Sequence, residues 1–101
     1  MNRQGGYKIE VDVVLDFGEL SYRGKTARLT PTESMLFQRL LDAAPKSVST
    51  TLLCLELPRA LEHPRVNVRV HMKAIREKLA EGGVPLVIES RKGFGYRLCE
   101  S

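Results

Sequence analysis

The sequence predicts an α+β domain built, in chain order, from a small antiparallel sheet, three helices and a closing β-hairpin. Three observations carry this prediction. β-Branched residues alternate with polar ones near the start, in "YKIEVDVVLDF". Apolar residues then recur at three- and four-residue spacing through the middle of the chain. The last stretch, "PLVIESRKGFGYRL", returns to strand-like runs around a basic glycine turn. At 101 residues, with 43% hydrophobic and 28% charged side chains, the chain is sized for one core and lacks the composition of a disordered segment. No apolar run approaches the roughly 20 residues of a membrane span. The N-terminus has no signal-peptide core, so a cytoplasmic protein without a membrane partner is expected.

Residues 1–6 read as a flexible N-terminus and 7–101 as a single domain. Within it, 7–29 form the sheet, 30–83 the three helices and 84–98 the hairpin. Tyr7–Phe17 reads as one strand, and "LSYRGKTARL" as a hairpin turning at Arg23-Gly24-Lys25 and ending at Leu29. The first helix is predicted over Pro31–Ala43. Thr30 stands at the N-cap, Pro31 fits the first turn, and Glu33 has capping-box spacing to Thr30. Leu36, Phe37, Leu40 and Leu41 supply its apolar face. Pro45 stops it, and Ser49 caps a short second helix, "TTLLCLEL", closed by Pro58. "PRALEHPR" reads as a loop. The third helix has the strongest periodicity: Val68, Met72, Ile75 and Leu79 form a core stripe before Gly82-Gly83 ends it.

Charge is unevenly placed. The net charge is +4, but residues 65–98 hold eight cations against three acids, and the rest of the chain is slightly acidic. Concentration of basic charge on one part of a domain is the footprint of a polyanion-binding surface. On the third helix Arg65, Arg69, Lys73 and Arg76 recur at spacings of four, four and three, which puts them on one face beside the core stripe. A helix with an apolar back and a cationic front fits the DNA major groove, about 12 Å wide. Arg and Lys suit guanine edges or phosphates, and Asn67 an adenine edge or a phosphate. The bland alternative is a solvated helix surface. Against it stands the sparse acidic pairing, Glu77 and Glu81 alone, both late in the helix. The hairpin tip, with Arg91 and Lys92 beside Gly93 and Gly95, suits a cation projected into the minor groove, Tyr96 and Leu98 pointing back to the core.

Three segments, "LTPTE", "VRVHMKAIREKL" and "RKGFGYRL", together resemble the winged helix-turn-helix effector domain of OmpR/PhoB-type bacterial response regulators. The resemblance covers nearly the whole chain and implies a sequence-specific DNA-binding regulator of transcription on double-stranded DNA, associated with the nucleoid. It implies the third helix in the major groove, Arg69 and Lys73 near bases, and Asn67, His71 and Arg76 near the backbone. Lys92 stands at the wing cation and Ser90 at the wing hydroxyl that meets phosphate. It also implies pairing of two copies on repeated half-sites and contact with RNA polymerase. The chain departs from the pattern in three places. No receiver domain is expected within 101 residues, so aspartate phosphorylation is not expected to control it directly; Ser34 replaces an early aromatic of the first helix; and the segment around Pro58 lacks a tryptophan and looks short.

Leu52 and Leu55 fall on positions that are normally polar. They read either as part of a wider buried arc or as an exposed apolar patch for a protein partner. The patch supports an alternative reading of the chain as a winged-helix protein-interaction module that binds a transcription factor, RNA polymerase or its own copy, with DNA binding secondary or lost. An RNA-associated domain is a third reading, weakened by the lack of aromatics for base stacking apart from Phe94. Cys54 and Cys99 read as two buried reduced thiols. His63 reads as a loop residue, and neither it nor His71 has metal-ligand spacing to a cysteine. No catalytic arrangement or phosphate-cradling motif is present, so neither an enzyme nor a cofactor, metal or small-molecule substrate is expected.

Overall fold

The computed structural model describes residues 13–59 and 62–101. β1 (Val14–Asp16), β2 (Glu19–Tyr22) and β3 (Lys25–Arg28) form an antiparallel sheet in that order. Its two turns, Phe17-Gly18 and Arg23-Gly24, have φ of 50°, 84°, 51° and 78°, the type I′ pattern that matches strand twist. The second is the expected hairpin. The first falls at the end of the strand expected over 7–17 and takes Phe17 out of it; the sequence does not mark it as a tight turn, because Phe-Gly lacks the usual Asn-Gly or Asp-Gly signal. The expected strand residues 7–12, like the N-terminal end at 1–6, lie outside the described residues.

α1 (Pro31–Ala43) begins on the expected capping box. The Thr30 N–H donates to Glu33 Oε1 at 2.9 Å, and the Glu33 N–H donates to Thr30 Oγ1 at 3.2 Å. Lys78 reaches across from the third helix and donates to the same carboxylate at 2.6 Å. Burial alone pushes the Glu33 carboxyl up. The Lys78 ammonium and the Thr30 donors more than offset it and hold the group below its ordinary value. β4 (Val48–Ser49) follows, two residues too few to show a period in the sequence.

α2 (Thr50–Cys54), capped by Ser49, is shorter than expected. Residues 55–57 continue it as tight turns, with N–H groups bonded three residues back at 3.0–3.1 Å. α3 (Pro64–Gly82) ends at Gly83 as predicted, and Val68, Met72 and Ile75 are fully buried with Leu79 nearly so. β5 (Leu86–Arg91) and β6 (Gly95–Glu100) close the chain, the hairpin running two residues past the expected end at Leu98. The second sheet has the order β4-β6-β5, so β5 is an edge.

One core joins both sheets and the three helices, with Leu20, Tyr22, Leu36, Phe37, Leu40, Leu53, Met72, Ile75 and Leu98 among its members. Leu98 is buried and Tyr96 packs on the core, as alternation requires. Cys99, on the other face of β6, is buried as well, so both faces are covered at this end of the hairpin. Cys54 is only half-buried, which corrects the expectation of two buried thiols: it lies at the margin of α2. The β2–β3 turn is tied to the chain end, where Tyr22 Oη donates to Glu100 and Arg23 pairs with the same carboxylate at 2.7 Å.

Candidate nucleic-acid interface

Three elements converge on the basic face: the start of α3, the start of α2 and the tip of the β5–β6 hairpin. The tip is held from two directions. The Phe94 N–H donates to the Arg91 carbonyl at 2.8 Å, closing the turn. The Phe94 carbonyl accepts the Thr50 N–H at 2.9 Å, which fastens the tip to α2. Gly93 has φ of 76°, in the left-handed region. Gly95 runs against β4 so closely that a Cβ there would lie 1.9 Å from the Val48 carbonyl oxygen. The two glycines thus have different causes: one makes the bend, the other permits contact.

Between the hairpin and α3 lies a cleft of about 320 Å³, with Arg65 and Arg69 on the helix side and Ser90, Arg91 and Lys92 on the hairpin side. Thr50 and Tyr96 contribute to its wall. Arg65 is steadied by a 2.9 Å bond from Nη2 to Thr51 Oγ1. Arg69, Lys73, Arg91 and Lys92 are exposed and form no ion pair with any described residue.

The remaining expected residues are less free. Asn67 is half-buried and donates through Nδ2 to the His63 carbonyl at 2.9 Å, closing the first turn of α3. His71 is half-buried, and His63 is an exposed residue of the loop before α3. Arg76 donates to the Ile88 carbonyl at 3.0 Å and to Ser90 Oγ at 2.9 Å. Cation and hydroxyl, both expected near the DNA backbone, therefore bond to each other.

Some of this the sequence reading did not find. Thr50 and Thr51 anchor the hairpin tip and Arg65, yet in the sequence they are only the first residues of a short helix. Val66 and Val70, one turn apart on the outer face of α3, are 50% and 58% exposed. Outward valines on a basic helix are a signal that the spacing could have supplied. Leu52 and Leu55 are 46% and 69% exposed, which decides against the buried-arc alternative. Among the described residues no group of His, Cys, Asp and Glu is arranged to hold a metal ion, and no helix is long and apolar enough to cross a membrane.

Comparison with known proteins agrees with this geometry. Residues 24–98 match the family described as transcriptional regulatory protein, C terminal. The chain belongs to this family, the winged-helix effector domains that bind DNA in transcription regulation and carry no catalytic activity. The DNA-binding domain of the response regulator AdeR, solved in complex with an intercistronic region, has the same fold. It is 23% identical, with a TM-score of 0.73 over 93% of this chain and 100% of that one. The C-terminal domain of the nisin resistance regulator NsrR, a lantibiotic response regulator, is 25% identical. Its TM-score is 0.67 over 98% of this chain and 97% of that one. No curated protein matches the chain.

Proposed function

We propose that this chain reads duplex DNA with α3 in the major groove and the β5–β6 wing in the adjacent minor groove. The observation that carries the reading is the pair of basic walls, Arg65 and Arg69 against Arg91 and Lys92, facing one cleft. Phosphate neutralisation by these groups and Lys73 supplies most of the affinity. Arg69 and Lys73, exposed and without an ion pair to any described residue, would reach guanine edges, while Val66 and Val70 offer apolar surface to thymine methyl groups. Asn67 and His71 act near the backbone. Pairing of two copies on repeated half-sites and contact with RNA polymerase are part of the same proposal.

The test is fluorescence anisotropy of the chain on random duplex DNA at about 50 and 200 mM salt, beside Arg69→Ala/Lys73→Ala. Salt-sensitive binding that the double variant loses supports the reading, and no binding by the folded chain at low salt rejects it. The exposure of Leu52 and Leu55 favours a second, compatible reading, a protein-binding surface on α2. Leu52→Asp that folds normally and disturbs no association of the chain, with itself or with RNA polymerase, would remove it.

A further inference from the structure

We propose that Arg76 is a positioning residue. It fixes the wing against α3 and acts on DNA through Arg91 and Lys92, without meeting a phosphate itself. The inference rests on the reading of this face as a DNA interface. It begins with β5, the edge of the β4-β6-β5 sheet, whose outer carbonyls have no neighbouring strand among the described residues to bond. Arg76 Nε satisfies one of them, Ile88, at 3.0 Å. Its Nη2 donates to Ser90 Oγ at 2.9 Å, and its guanidinium carbon lies 5.8 Å from the centroid of the Tyr96 ring. Ser90 and Tyr96 face each other in the β5–β6 register, one rung before Arg91 and Gly95. One planar side chain thus grips both strands where the wing leaves the body of the domain.

The contrast with its neighbours on the helix sharpens this. Arg69 and Lys73 are exposed and bond to no described residue, whereas Arg76 is half-buried with two donors engaged. The wing tip has its own anchor, the Thr50–Phe94 bond. Tip and base are therefore held by α2 and α3 separately. Without the base contact, β4 still holds β6 and the core still holds Ile88 and Leu98, but nothing from α3 bonds the edge strand at Ser90, and the distance from the wing cations to those of α3 is set less closely. Two cationic walls that must meet two grooves at once lose affinity when that distance is not preorganised.

The experiment uses the duplex that wild-type chain recovers by in vitro selection from a random library. Affinity is measured across a salt series for wild type, Arg76→Lys, Arg76→Gln and Ser90→Ala, each with and without Lys92→Ala, and for Arg76→Lys/Ser90→Ala. Urea unfolding midpoints identify variants that fold. Lysine keeps the charge but lacks the planar fork that holds two acceptors. Positioning predicts that Arg76→Lys weakens binding about ten-fold, and only about two-fold when Lys92 is already Ala. In the Lys92→Ala background the salt slope of Arg76→Gln stays at that of Lys92→Ala alone, because Arg76 has no phosphate partner of its own to lose. Ser90→Ala, which disturbs α3 least, loses its effect in the Arg76→Lys background. Arg76→Lys at wild-type affinity overturns the proposal. So does a salt slope that Arg76→Gln lowers by about one below that of Lys92→Ala when the two are combined, with affinity losses that simply add. Failure of wild type to bind any duplex rejects the DNA reading and this inference with it, whereas wild-type binding unaffected by Arg76→Lys rejects this inference alone.

Discussion

Gly95→Ala tests how the wing is built. Its new methyl would lie 1.9 Å from the Val48 oxygen, 2.8 Å from the Ser49 Cα and 2.9 Å from the Thr50 nitrogen. All three are backbone atoms, so no side-chain rotation relieves the clash and β6 must move off β4. The separation breaks the ladder between Val48–Ser49 and Gly95–Tyr96 and the Thr50–Phe94 bond. Backbone pairing lost at about 1 kcal/mol per hydrogen bond gives about 2 kcal/mol. Partial exposure of Val48, 8% exposed in the native fold, adds about 1 kcal/mol. The expected loss is about 3 kcal/mol, a large share of the roughly 5–15 kcal/mol typical of a domain. Gly93→Ala is the internal control. It meets no atom within 4 Å, but its φ of 76° is unfavourable for alanine, which costs about 1 kcal/mol. Urea unfolding at constant slope gives both values. Gly95→Ala within about 0.5 kcal/mol of wild type, or milder than Gly93→Ala, would show that the close approach is not what requires glycine.

Glu33→Gln should cost about 2 kcal/mol, because it weakens the cap and leaves Lys78 beside a neutral amide, as read by thermal unfolding. The same carboxylate makes stability acid-sensitive. Its folded pKa lies below the ordinary 4.5, so its contribution is complete above that value and is lost as pH falls through the lower folded value. In Glu33→Gln the acid limb of a stability–pH curve should flatten. Of the two thiols, Cys54 should react with a disulfide reagent in the native state and Cys99 only on unfolding. Cys99 is buried, and that burial, with the nearby Glu89, pushes its thiol pKa up. Lys92→Ala should weaken binding by about 1–3 kcal/mol if the side chain reads the minor groove, with the loss differing between AT-rich and GC-rich sites in a competition assay.

Long periodic segments were readable from sequence, because burial of one face leaves a repeating trace. The Val68–Leu79 stripe and the Thr30–Glu33 cap stand in the structure as the spacing implied. β4 was not readable, since two residues carry no period and the strand exists only because β6 lies beside it. The first turn hid for a related reason: Phe17 holds a φ of 50°, a conformation the residue type does not advertise. Within the candidate site the helix cations could be counted from spacing, but their partners could not. Arg76 looks like Arg69 in a helical projection. What separates them is the edge carbonyl of Ile88, which the sequence places on another element.

Pairing also refines what the charge count says. Glu89, one of the three acids in residues 65–98, pairs with Arg97 at 2.8 Å, both lying on the hairpin strands behind its tip. Glu33, Glu56 and Glu100 likewise neutralise Lys78, Arg39 and Arg23, each outside the cleft. Glu77 and Glu81 fall in the second half of α3, beyond Arg65, Arg69 and Lys73. The acids of residues 65–98 are thus either committed to a structural cation or set back from the cleft, and its walls are more basic than the segment's net excess suggests. This matters for binding because a paired cation must give up its carboxylate before it can take a phosphate. Arg69, Lys73, Arg91 and Lys92 have no such exchange to make with any described residue, so each counterion they displace from DNA contributes undiminished to the salt dependence.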